Sequence, residues 1–87
     1  NGTYGTIRMH QERDYPRRVS GTEIVNPDFA ALAKSYGFHG ETVSKTPDFA
    51  QAWQRACASP TGAVLELMTD AEAITPRTTI TALRGDR

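Results

Sequence analysis

Eighty-seven residues allow one small domain or part of one, and a chain this short buries only roughly 60–65% of its unfolded surface, so its core is marginal without help. A hydrophobic content of 38% and a charged content of 23% exclude a disordered chain, and ten basic and ten acidic residues cancel, which removes the electrostatic footprint of a nucleic-acid or anionic-membrane binder. The single Cys57 excludes an internal disulfide framework and fits a reducing, cytoplasmic compartment, while no run approaches the roughly 20 apolar residues of a membrane span or has a signal-peptide pattern.

The chain opens on Asn1 with no methionine before it, so it is expected to be processed or cut from something longer. Asn1-Gly2-Thr3 satisfies the glycosylation sequon, which is read as chance because nothing else points to secretion. From Tyr4 to Glu12 the spacing predicts a helix, with Tyr4, Ile7 and Gln11 near one face. Arg13 to Val25 reads as a loop, punctuated by Tyr15-Pro16 and Ser20-Gly21, and its Arg13, Arg17 and Arg18 form a solvated basic cluster.

A second helix is predicted with Asn26 as N-cap, Pro27 at the first helical position and Asp28 complementing the dipole. Phe29, Leu32, Ala33 and Tyr36 make its buried face, and Gly37 is its left-handed stop. Thr46-Pro47-Asp48-Phe49-Ala50 repeats the Asn26-Pro27-Asp28-Phe29-Ala30 opening, with an apolar stripe of Phe49, Ala52, Trp53, Ala56 and Cys57. Two copies are too few for a stacked array, so this is one helix-start chemistry used twice.

Between these helices, Phe38 to Ser44 is a short strand weakened by Gly40, and after the turn Ser59-Pro60-Thr61-Gly62, Ala63 to Met68 is a strand apolar enough for burial on both faces. Strand, helix and strand make a parallel βαβ unit of an α/β fold with a right-handed crossover. Asp70 to Thr75 is a loop or single turn, and Thr78 to Leu83 a short helix or irregular tail. Two parallel strands do not make a stable sheet alone, so the chain is expected to complete a larger one.

Asn1-Gly2-Thr3-Tyr4-Gly5-Thr6-Ile7-Arg8 resembles the segment that begins at the metal-binding asparagine of thiamine-diphosphate enzymes in the acetolactate synthase and benzoylformate decarboxylase group. The likeness continues through Met9-His10-Gln11-Glu12, Tyr15-Pro16, Val19-Ser20-Gly21-Thr22, Asn26-Pro27-Asp28-Phe29 and Ala73-Ile74-Thr75-Pro76-Arg77, with the first eight residues its specific part. It implies that residues 1–87 are the C-terminal part of the diphosphate-binding domain. In that pattern Asn1 gives its side-chain oxygen and Thr3 its main-chain carbonyl to Mg²⁺, a hard cation suited to neutral oxygens beside a carboxylate and diphosphate. Gly2 permits the tight turn, and Tyr4 and Ile7 line the substrate side of the cofactor.

Other side chains take blander expectations. His10 is read as a surface or helix-packing histidine, His10 and His39 are too isolated to pair on a metal, Cys57 is a buried inert thiol, and Trp53 belongs to the core. Glu66 pairs with a group outside the chain or lies at an exposed strand position. The resemblance places the metal-site aspartate and the cofactor-activating glutamate outside these residues, so the isolated chain should not catalyse. The parent is expected to be a homo-oligomer that decarboxylates a 2-keto acid and joins the product to a second carbonyl, as acetolactate synthase does. The alternatives are a benzoylformate decarboxylase-like lyase and, in another class, a non-catalytic self-associating or partner-binding module. Flavin binding stays open.

Overall fold

The two x-Pro-Asp-Phe-Ala openings both start helices, but by different chemistry. The computed structural model describes residues 1–85, in the order α1 (Gly5–Asp14), α2 (Phe29–Ser35), β1 (His39–Val43), α3 (Phe49–Cys57), β2 (Ala63–Leu67) and α4 (Ile80–Leu83). They form two compact units, one from Asn1–Val25 with the segment from Thr69 onward, the other from Asn26–Met68. No helix among the described residues is long and apolar enough to cross a membrane.

In the 26–68 unit, α2 begins two residues later than expected. Asp28, rather than Asn26, is the cap, and its Oδ1 accepts from the Ala31 N–H at 3.0 Å, satisfying one of the orphan donors of the first turn. The second opening instead winds into a 3₁₀ turn, Thr46–Asp48, with Pro47 at its start, before α3 continues from Phe49. Gly37 ends α2 as expected. At φ +81° its N–H meets the Lys34 carbonyl while the Phe38 N–H reaches back to Ala33, both at 3.0 Å, which closes a Schellman motif.

β1 and β2 pair in parallel, from His39 opposite Ala63 to Val43 opposite Leu67, with α3 in the crossover, as the βαβ reading expects. Side chains alternate across a strand, so Gly40 and Val64 share one face and Ala63, Leu65 and Leu67 the other. The first face carries α2. A Cβ on Gly40 would lie 2.1 Å from the Ala30 carbonyl oxygen, so the helix backbone rests directly on the strand. Ala30 and Ala33 are the buried residues of α2, while Phe29, Leu32 and Tyr36 of the expected core face are exposed. The closest approach selects small side chains and turns the large ones outward.

The second face carries α3, and here too the expected burial is not met. Phe49 and Trp53 stack at 6.1 Å between centroids, yet Trp53 is 56% exposed, and Cys57 is exposed rather than inert in a core. β2, expected to be buried on both faces, keeps Ala63, Val64 and Leu67 exposed. The reason is width. The described sheet has two strands, spaced roughly 5 Å apart, and such a platform is narrower than the ~10 Å diameter of a helix laid on it. Phe49, Trp53, Ala56 and Cys57 therefore line, with Leu65 and Leu67, an open apolar cavity of about 540 Å³. Glu66 is half-buried and accepts from the Thr42 hydroxyl of the neighbouring strand at 3.1 Å, a partner within the chain.

In the last turn of α3, Arg55 bonds the Glu41 carboxylate, which also meets His39 Nε2 at 2.9 Å. The Arg55 guanidinium first, then the His39 hydrogen bond, pull the Glu41 carboxyl down to about 2. A carboxyl lowered on folding adds stability that is complete above its unfolded value of 4.5 and is lost as pH falls from there toward 2. Thermal unfolding of Glu41→Gln should therefore show a smaller acid loss across that window than the wild type, and parallel curves would remove the role assigned to this pair.

In the other unit, the helix expected from Tyr4 to Glu12 is present as α1, but its apolar residues are not its buried face. Ile7 is 56% exposed and the buried side chain is Glu12. Thr3 and Glu23 form an antiparallel bridge, so the segment read as a loop returns to pair with the chain start. The expected terminal helix forms as α4, capped by the Thr79 hydroxyl on the Ala82 N–H at 3.1 Å, with Ile80 fully buried.

Candidate functional site

The chain start is held as a turn by its own polar groups. Asn1 Oδ1 accepts from the Thr3 N–H at 3.3 Å, Gly2 sits at φ +70°, and the Gly2 carbonyl accepts from the Ile24 N–H at 3.0 Å. An asparagine side chain folding onto the backbone two residues ahead is an Asx turn, and the positive φ is why glycine follows it. The Tyr4 N–H donates to the Thr22 carbonyl at 2.8 Å, and the Thr3 hydroxyl donates to the same oxygen at 2.8 Å. Together these clamp residues 1–4 against residues 22–24 before α1 begins.

The result is a cavity of about 470 Å³ lined by Asn1, Gly2 and Thr3, by the polar residues Arg8, Thr22 and Glu23, and by the apolar Val19, Ile24, Val25 and Ala71. Among the described residues, no donor meets the Thr3 carbonyl oxygen. One lone pair of Asn1 Oδ1 is taken by the Thr3 N–H, which leaves an amide oxygen with further accepting capacity. Gly5, at the start of α1, leaves room for the Asn1 side chain: a Cβ there would lie 3.2 Å from the Asn1 side-chain nitrogen and 3.4 Å from an Ile74 methyl, so the Asn1 amide would have to shift by a few tenths of an ångström.

Electrostatics along α1 are asymmetric. Glu12 is buried, bonded by the Arg84 guanidinium, and accepts from the Arg17 N–H at 3.0 Å. Burial pushes its carboxyl up, but the hydrogen bonds from Arg84 and Arg17 and the charges of Arg84 and Arg8 outweigh that and hold it below its ordinary value. Arg8, one helical turn earlier, has its Nε buried with no hydrogen-bond partner.

The structure thus brings Asn1, Gly2 and Thr3 together at one cavity. Tyr4 and Ile7 are not among its lining residues, and both are about half exposed, at 52% and 56%. Arg8 and Glu23 are cavity residues to which the sequence reading gave no role. The signal for Arg8 was its place in the first turn of α1, one turn beyond Tyr4; for Glu23 the bridge to Thr3 lies beyond what local pattern carries. His10 is exposed and His39 is engaged with Glu41. Among the described residues, no three His, Cys, Asp or Glu side chains gather as a metal cluster.

A family model described as "Thiamine pyrophosphate enzyme, C-terminal TPP binding domain" matches residues 1–67, a span that contains Asn1, Gly2, Thr3 and both strands. No solved structure matches the chain.

Proposed function

The chain belongs to the thiamine pyrophosphate enzymes, as their C-terminal TPP-binding domain, and on that premise we propose that it is the C-terminal part of the diphosphate-binding domain of a Mg²⁺-dependent, acetolactate synthase-like enzyme acting on 2-keto acids. The observation that carries the reading is the coincidence of the matched span with the cavity at Asn1, Gly2 and Thr3. The residues present fit a metal-bound diphosphate on two counts. The Thr3 carbonyl and the Asn1 amide oxygen are neutral hard donors with capacity to spare, and Arg8 offers a buried cationic donor that lacks a partner.

When bound, thiamine diphosphate supplies the carbon nucleophile for the keto group and the electron sink for loss of CO₂. The chain's own residues position. Asn1 Oδ1 and the Thr3 carbonyl would hold Mg²⁺, Gly2 makes the turn that sets them two residues apart, and Gly5 leaves room for the Asn1 side chain. Tyr4 and Ile7, exposed here, would meet the cofactor only on a surface completed by the rest of a parent enzyme. That parent would also provide the remaining strands beside β2, the metal-site carboxylate and the glutamate that activates the cofactor. It would be a cytoplasmic homo-oligomer.

The test is turnover by the parent enzyme. With thiamine diphosphate and Mg²⁺, pyruvate should yield CO₂ and the carboligated hydroxy-keto acid in a 1:1 ratio, with no turnover by the 87-residue chain alone. Release of free aldehyde instead would favour a simple decarboxylase. Absence of CO₂ from every 2-keto acid tried would favour the self-associating or partner-binding module, a reading drawn from the uncovered apolar face at Trp53 and Leu67.

A further inference from the structure

We propose that Arg8 is the group in the Asn1–Thr3 cavity that receives an anionic phosphate oxygen of the cofactor's diphosphate, an inference that rests on the thiamine diphosphate reading above. Arg8 lines the same cavity as Asn1 and Thr3. Its Nε is buried without a hydrogen-bond partner, a costly state for a cationic donor in a folded chain.

The nearest carboxylate along the helix does not relieve it. Glu12, four residues on, is the partner that helical spacing would supply. Its oxygens are instead occupied by the Arg84 guanidinium and the Arg17 N–H. Glu23 lines the cavity as well, yet among the described residues no salt bridge joins it to Arg8. The Glu12–Arg84 pair therefore takes up the hydrogen-bonding capacity of the carboxylate one turn along α1, and Arg8, which feels the Glu12 charge, still has its buried Nε unbonded in the cavity that the two neutral oxygen donors line.

A site holding one guanidinium and several oxygen donors has mixed polarity. It suits a ligand of mixed polarity, a divalent cation on the oxygens and its phosphate on the guanidinium. Arginine fits the second part because its planar fork matches phosphate geometry and stays charged at every physiological pH.

The experiment is calorimetric titration of the apo parent enzyme with thiamine diphosphate and, separately, thiamine monophosphate, both with Mg²⁺, for wild type, Arg8→Lys and Arg8→Met. Arg8→Met should weaken the diphosphate by roughly 10–100-fold, in line with loss of a charge-assisted bond, and the monophosphate by much less. Arg8→Lys should recover part of the loss and keep the wild-type unfolding temperature. Unchanged diphosphate affinity in both variants would overturn the assignment. So would an equal loss for both ligands together with a lowered unfolding temperature, which marks a structural arginine. If wild type binds neither ligand, the cofactor reading itself fails, which is a different result from a silent Arg8.

Discussion

Gly40→Ala should destabilise the βαβ unit by about 3 kcal/mol or more, the upper end for overpacking a buried site. The added methyl would sit 2.1 Å from the Ala30 carbonyl oxygen, 2.9 Å from its carbon and 3.1 Å from its Cα. All three are backbone atoms of α2, so no side-chain rotation relieves the clash, and the helix has to lift from the strand. The opposing term is small: alanine in place of a strand glycine gains only about 0.5–1 kcal/mol in conformational entropy. Hydrogen exchange should show α2 and β1 amides losing protection together, ahead of the rest of the chain. Protection equal to wild type would mean that α2 does not rest on Gly40.

The same glycine shows where sequence reading reaches its limit. By composition alone Gly40 weakens a strand, and its immediate neighbours His39 and Glu41 do little to strengthen it. Its purpose appears only with Ala30 lying over it, a contact between two elements. The helices themselves were legible because their punctuation is local: Gly37 with Lys34 acts within one turn as expected, and the Asn26-Pro27-Asp28 run marks the start of α2 to within two residues, although the cap is Asp28 on Ala31 and not Asn26. The parallel pairing of β1 and β2 followed from the intervening helix.

Burial was less legible, for two physical reasons. An apolar stripe says which face a helix would bury, not whether anything wide enough covers it, and a two-stranded sheet leaves Trp53 and Leu67 exposed. Conversely, the buried residue of α1 is charged. Glu12 is buried because Arg84, 72 residues away, meets it, and no helical periodicity contains that partner. At the candidate site, Asn1, Gly2 and Thr3 were readable through consecutive residues and a family likeness. Arg8 and Glu23 needed the bridge that folds residue 23 onto residue 3.

Asn1→Ala should be the most damaging change at the site. It removes the amide oxygen proposed for Mg²⁺ and also the acceptor that holds the Thr3 N–H at 3.3 Å, so the residue whose carbonyl is proposed as the second donor loses one of its anchors. Loss of an outer-shell partner alone costs roughly 10–100-fold in metal affinity, and removal of a direct ligand should cost at least that much. Asn1→Asp keeps an oxygen at the same place and should retain most of the binding. The most direct measurement is titration of thiamine diphosphate into the apo parent enzyme, with and without Mg²⁺, for wild type, Asn1→Ala and Asn1→Asp. The expected result is Mg²⁺-dependent binding in wild type and Asn1→Asp that falls by at least roughly 10–100-fold in Asn1→Ala. Equal, tight binding by Asn1→Ala in the presence of Mg²⁺ would contradict the placement of the metal and its cofactor at Asn1 and Thr3.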